Sequence, residues 1–266
     1  MDPTPERAPP GGADPAAAPA AARPSRAPAG GRRRGARDLV VGYQRWDRIL
    51  LLHFEVSPAT LRPLVDPRLE LDLHDGRAWV SLTPFTMRGA RVRLAPPLPA
   101  LARFHELNLR TYVRGGGVEG LWFLSLDASS TPAVAIARAT LGLPYFRARM
   151  DRSEAGTAHA YHSERVVVRG PQAAFAASWD VGDPVAAPPG SLDHFLAERY
   201  ALFSAHAGLL LRVRVRHAPW ALRAARVDRL EQSVVRAAGL WVDDRPALAH
   251  FSEGRDVEVL LPEVVA

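Results

Sequence analysis

Residues 104–146 read FHELNLRTYVRGGGVEGLWFLSLDASSTPAVAIARATLGLPYF, and the period-two alternation at the start of this stretch restricts the fold more than any other feature. Successive side chains of a strand point to opposite faces. Glu106, Asn108, Arg110 and Tyr112 therefore share one side, while Leu107, Leu109 and Val113 line the other. A glycine turn, a second strand, a short helix and a third strand complete the stretch. The letters from Gly115 to Gly120 match G-x-G-x-x-G, but that fingerprint serves a dinucleotide only where a strand feeds a helix. Here Leu121-Trp122-Phe123-Leu124 reads as another strand, so the glycines form a hairpin turn.

The flanking sequence extends the same pattern. A buried strand is expected over 48–56, followed by a helix over 58–65 that starts at Ser57-Pro58. Strands over 69–73 and 77–87 flank the turn His74-Asp75-Gly76 and read as a hairpin. A surface loop at Pro96-Pro97-Leu98-Pro99 leads into the central strand. Thr131 caps a helix over 131–141, with Pro132 in the first turn and Gly142 closing it. Further strands are expected over 144–152, 157–168, 209–216, 223–230 and 256–261, and Ser191 caps a helix running to Tyr200. The body is thus α+β, β-rich and mainly antiparallel. At 266 residues and 47% hydrophobic content the chain has ample core without staples, and no change of composition follows residue 37. One domain over 38–266 is expected.

Residues 1–37 have a different character. Pro, Ala, Gly and Arg dominate, no apolar period could bury a face, and a disordered tail is expected. Most of the formal net charge of +6 resides there, where seven arginines face Asp2, Glu6 and Asp14. Arg32-Arg33-Arg34 lacks the apolar segment that an export signal needs, and the aliphatic run from Ile49 to Leu52 is too short for a bilayer. A cytoplasmic protein without a membrane partner is expected.

Two absences limit the chemistry. Without cysteine there are no disulfides, thiolate metal sites or thiol nucleophiles. Without lysine there is neither a Walker-type phosphate loop nor a side-chain amine for Schiff-base chemistry, since a guanidinium stays protonated. His159 and His162 point to opposite faces of a strand, and His105-Glu106 is not in a helical H-E-x-x-H, so neither a metal nor any other cofactor is expected. No G-x-S-x-G occurs, and Ser125, Ser129 and Ser130 read as caps before a helix. His53, in an apolar strand, reads as a satisfied core histidine. Arg212, Arg214 and Arg216 form a cationic stripe, either a solvated face or an anion clamp, with no interleaved aromatics for stacking bases. Sequence-specific nucleic-acid binding is not expected.

The Glu106 stripe has two readings. On an open sheet it is a solvated face; if the sheet closes, its side chains converge in a confined polar cavity, with Glu106 as acid or base and Arg110 holding a carboxylate. Closure of the sheet decides between them.

Several ordered segments, FHELNLRTYV, GLWFLSLDA, LPYFRARM, GSLDHFLAERYALF, HAPWAL and AHFSEGRDVEVL, resemble the YqjF-like proteins over about residues 43–262. That family is more distantly similar to acetoacetate decarboxylase. The resemblance implies a cone-shaped β-barrel with flanking helices and an internal pocket. In the decarboxylase a Gly-Arg-Glu element precedes Pro-Lys-Lys, whose first lysine forms the Schiff base; the matching letters here are Ala137-Arg138-Ala139 and Pro144-Tyr145-Phe146. Glu106 resembles the decarboxylase's active-site glutamate, and Arg45 and Arg48 are the alternatives for its N-terminal arginine. With both lysines replaced, the iminium electron sink is missing.

The expected function is a small-molecule pocket protein that acts on or binds an organic acid or carbonyl compound. Glu106 and Tyr145 are the acid/base candidates, and Arg138, Arg110, Asn108 and Tyr112 the substrate-binding ones. A non-catalytic ligand-binding or sensing module is the alternative, and a lumen whose polar groups satisfy one another is a third. Self-association as a homo-oligomer stays open.

Overall fold

A computed structural model describes Met1 and residues 38–96, 98–166 and 170–265. The tail expected over 1–37, the Pro-rich loop at Pro97 and the end of the strand expected over 157–168 lie outside the described residues. In chain order, the elements are β1 (Val40–Val56), α1 (Pro58–Leu61), β2 (Glu70–Leu71), β3 (Ala78–Val92), α2 (Pro99–Ala102), β4 (Arg103–Gly115), β5 (Val118–Ala128) and α3 (Thr131–Leu141). There follow β6 (Tyr145–Ala155), β7 (Ala158–Arg165), β8 (Ala174–Pro184), α4 (Leu192–Ala197), β9 (Ala201–His206), β10 (Leu209–Arg216), β11 (Arg223–Gln232), α5 (Val234–Ala237), β12 (Leu248–Leu260) and β13 (Glu263–Val265). All lie within Arg34–Ala266. No described helix is long and apolar enough to cross a membrane.

The strands form one sheet that closes on itself twice. One ring runs β1-β3-β4-β5-β9-β10-β12 and back to β1. The other leaves β5 through β6, β7, β8 and β11 and rejoins at β12. Among the described pairings only β5–β6 and β5–β9 are parallel. The strands β12, β1, β3, β4 and β5 are shared, so this wall needs a use for both faces. One face is packed solid: Leu50, Leu52, Leu107 and Leu109 meet Phe175 and Trp179 from β8 in the largest core cluster.

On that packed side Asp127 and Phe146 are register partners across β5 and β6. The Asp127 carboxylate accepts from Arg165 Nε at 3.0 Å and lies 2.8 Å from its Nη2, and the guanidinium covers the Phe146 ring at 3.8 Å. Both charged side chains are at most 2% exposed.

Closure of the first ring depends on a close approach. A Cβ on Gly120 would lie 2.8 Å from the Ala201 carbonyl oxygen and 2.8 Å from the Phe203 ring, so only glycine lets β9 reach β5. Gly120→Ala is therefore expected to lower stability by about 1–3 kcal/mol, measured by urea denaturation. A change within error would mean that β9 moves aside at no cost.

Local differences from the sequence reading have identifiable causes. The turn at His74-Asp75-Gly76 forms, with His74 bridged to Arg77, but β2 pairs with β4 and not with β3. The N-cap of α3 is Ser130, whose hydroxyl accepts from Ala133 N, while Gly142 closes the helix at φ 63° as expected. The glycines after β4 form a hairpin turn, Gly116 and Gly117 taking positive φ.

Candidate functional site

The unpacked face of the shared wall lines a cavity of about 480 Å³ inside the first ring, with one face of α3 beside it. Closure thus decides for the lumen reading of β4. Phe104, Glu106, Asn108 and Arg110 line this cavity, while Leu107 and Leu109 go into the core behind. On β3 the same face presents Thr83, Phe85 and Met87. A register shift in β5 between the partners of Leu109 and Arg110 brings Phe123 and Leu126 to the same face, although their spacing is odd.

Glu106 is 3% exposed. Its backbone is pinned by Tyr161, whose hydroxyl donates to the Glu106 carbonyl at 2.9 Å. Register places Asn108 beside Leu126 and Leu126 beside Tyr145, so the three form a row across β4, β5 and β6. Tyr145 enters that row because Gly142 turns the chain out of α3 against β9, where a Cβ would lie 2.6 Å from the Ala205 carbonyl oxygen. The Tyr145 hydroxyl and the Asn108 side chain act on the Glu106 carboxyl in the sense of hydrogen-bond donors, favouring its ionised form. Burial pushes that carboxyl up from its ordinary value to about 7, against the lowering effect of these two donors. Burial, and the Glu106 carboxylate next to it, push the Tyr145 phenol well above its usual range. Tyr145 is thus a proton donor in a hydrogen bond at every working pH, while Glu106 is poised to change state near neutrality.

Arg110 lies two residues further along β4 and is 7% exposed. Burial lowers its pKa, Tyr112 works against that lowering, and the Arg199 guanidinium is a smaller contributor in the direction of burial. Arg199 is neutralised by Asp72 and Glu119, at 2.9 and 2.7 Å. Among the described residues no carboxylate lies within ion-pair distance of Arg110. Its Nε, Asn108 Oδ1 and Thr83 Oγ1 are all buried without a hydrogen-bond partner among them. Thr83, Asn108 and Arg110 thus stand together on one face of the cavity.

The end of the cavity below Arg110 is plugged. Tyr112 shares the parity of the stripe but does not line the cavity; it packs on Phe195 of α4 at 5.0 Å and donates to the Leu196 carbonyl at 2.9 Å. Tyr112, expected among the substrate-binding residues, thus lies at the floor of the cavity and outside its lining. Around it runs a buried chain: Ser81 Oγ is 2.7 Å from both Tyr112 Oη and His53 Nδ1, His53 Nε2 lies 3.3 Å from His250 Nδ1, and His250 Nε2 is 2.8 Å from Asp193. Burial lowers both histidines, so each is neutral and carries one N–H. With His250 donating to Asp193, His53 donates to His250 and Ser81 to His53, which satisfies every ring nitrogen. His53 is therefore the satisfied core histidine that its sequence context suggests.

Arg138, expected among the substrate-binding residues, is likewise outside the cavity lining. Ala133, Ile136, Ala137 and Thr140 of α3 face the cavity at helical spacing, which turns Arg138 to the exposed side. Neither Arg45 nor Arg48 lines the cavity: Arg45 pairs with Asp47 and Asp256, and Arg48 with Glu154 and Glu253. Arg212 and Arg214 share Glu263, and Arg216 meets Asp38, so the stripe on β10 is neutralised within the chain. Phe146, at the second lysine position, is on the packed side beneath Arg165. Sequence reasoning missed Thr83, which the alternation of β3 with Phe85 and Met87 signals once β4 is known to be its neighbour. It also missed His250, which the β1–β12 pairing brings to His53, and Asp193, which α4 places against His250.

Residues 43–256 match the DUF2071 family, described as an uncharacterized conserved protein. The chain is 38% identical over 215 residues to the uncharacterized protein YqjF of Bacillus subtilis (strain 168), covering 80% of this chain and 88% of that one. Among solved structures it is similar to acetoacetate decarboxylase from Legionella pneumophila, with a TM-score of 0.61 at 14% identity over 86% of this chain and 89% of that one. It is also similar to the enduracididine biosynthesis enzyme MppR complexed with pyruvate, with a TM-score of 0.60 at 12% identity over 86% and 91%. Identities this low carry the fold alone, and the fold is acetoacetate decarboxylase-like.

Proposed function

The chain belongs to the DUF2071 family, and from that premise and the lumen's side chains we propose that it binds an organic acid bearing a carbonyl group and moves a proton on it. The observation that carries this reading is Arg110, a guanidinium nine-tenths buried on a cavity wall with no carboxylate opposite it among the described residues. A buried cation without a counterion is costly, and a bound carboxylate supplies one in a geometry that suits the guanidinium fork.

With the carboxylate on Arg110, the carbonyl lies toward Tyr145 and Glu106. Above about pH 7 the ionised Glu106 takes the proton from the carbon next to the carbonyl. The C–H electron pair moves onto the carbonyl oxygen, where the neutral Tyr145 hydroxyl donates a hydrogen bond to the growing charge. Glu106 then trades its proton for one from solvent and returns that proton to carbon, which completes the exchange. No iminium forms on this chain, because no lysine supplies the amine.

The test uses 2-oxobutyrate as probe. The folded protein is expected to gain thermal stability with the acid, and Arg110→Met to weaken its binding by about thirtyfold or more, the effect of removing 2 kcal/mol or more from a buried charge pair. In deuterated buffer, proton NMR is expected to show catalysed loss of the C3 protons. Binding that depends on Arg110 but leaves exchange at the uncatalysed rate would make the chain a sensing module; binding unaffected in Arg110→Met would remove the reading.

A further inference from the structure

The proposed site carries one more inference, which rests on that reading: the groups it uses stand in successive rows of β4 above the floor, Arg110 lowest, then Asn108 with Thr83, then Glu106. Glu106, Asn108, Arg110, Thr83 and Tyr145 lie toward the end closed by Tyr112 and α4. Leu121, Leu202 and Val213 flank the floor. From Glu106 outward the walls are apolar, with Phe85, Met87 and Phe104 in the next rows and Val215 and Val259 beside Gly42 and Val92 toward the mouth. Val92 and Ile136 line the same cavity yet are 63% and 46% exposed, so the apolar wall reaches the surface.

Volume makes this arrangement decisive. A cavity of about 480 Å³ has room for about sixteen waters at roughly 30 Å³ each. A three- or four-carbon acid fills a minor part of it and leaves most of the apolar wall wet. Wet apolar wall is the surface that gains from burial.

We infer that the ligand is an amphiphilic carboxylic acid whose head reaches Arg110 and whose apolar tail runs along the wall to the mouth between Val92 and Ile136. No charged side chain other than Glu106, Arg110, Arg199 and Arg91 lines the cavity among the described residues, and Arg91 stands over the Tyr43 ring near the mouth. A polar or doubly charged tail has nothing to meet along the interior wall.

The experiment is a titration calorimetry series with straight-chain 2-oxo acids of four, six, eight and ten carbons, on the full chain. Affinity is expected to rise about fourfold per added methylene, up to the length that fills the cavity, at one ligand per chain. The methyl ester of the eight-carbon acid is expected to lose most of that affinity, since it cannot pair with Arg110. A four-carbon acid that binds through Arg110 with no gain from added carbons would overturn the tail and leave the acid site standing. Acid and ester rising equally, with more than one molecule per chain, would reduce the effect to surface adsorption and overturn it. No binding at any length would overturn the acid site as well.

Discussion

Asp127→Asn is expected to destabilise the fold by about 3–5 kcal/mol, the range found when one member of a buried ion pair is removed. The cause is what stays behind. Arg165 has a side chain only 2% exposed, held between Asp127 and the Phe146 ring, with its Nη1 donating to the Pro171 carbonyl at 3.3 Å. Urea denaturation at pH 7 checks this, with an unchanged slope showing that the native state is otherwise intact. The double variant Asp127→Leu, Arg165→Met removes both charges and is expected to recover most of the loss. A loss below 1 kcal/mol in Asp127→Asn would mean that the guanidinium finds water, and that the packed side of the shared wall is looser than the structure has it.

Glu106→Gln is expected to change two quantities in opposite directions. Catalysed exchange on a bound 2-oxo acid falls by about 10²–10⁴, the usual contribution of a positioned acid or base. Stability above neutral pH rises. Burial raises the Glu106 carboxyl from the 4.5 of an unfolded chain to about 7, so the folded state favours the protonated form. The corresponding stability is complete below about 4.5 and is lost as pH climbs through 7. At pH 8 the parent has given up roughly 3 kcal/mol that a neutral glutamine does not lose. Parallel denaturation at pH 5 and pH 8 reads the difference: the gap between parent and variant opens in the variant's favour at the higher pH. An equal gap at both values would place Glu106 in a wetter environment than a closed lumen.

The sequence made one half of this site readable and concealed the other for a physical reason. Alternation in β4 separates Glu106, Asn108 and Arg110 from Leu107 and Leu109, and that partition holds in the fold. Parity says which face, but not how far along a strand the cavity extends. Tyr112 shares the face and lies below the floor, because α4 fills that end, and nothing local to β4 encodes where α4 packs. Arg138 failed in a related way: a letter match placed it at the site, while the apolar period Ala133, Ile136, Ala137, Thr140 already indicated which side of α3 turns inward. β8 was missed because alanines weaken its alternation of Phe175, Ala177, Trp179 and Val181, all buried. β9 was missed because it follows α4 closely, so a helix expected to run to Tyr200 masked the break at Ala197. The parallel β5–β9 contact that closes the ring joins residues far apart in sequence, and only Gly120 hints at it.

The position of the carboxylate tests the account most directly. In a crystal structure with the eight-carbon 2-oxo acid bound, the carboxylate oxygens are expected within hydrogen-bond distance of the Arg110 guanidinium, the carbonyl oxygen beside Tyr145 and the tail toward Ile136. An acid bound instead at the outer arginines Arg45 and Arg91, with the lumen around Glu106 unoccupied, would contradict it.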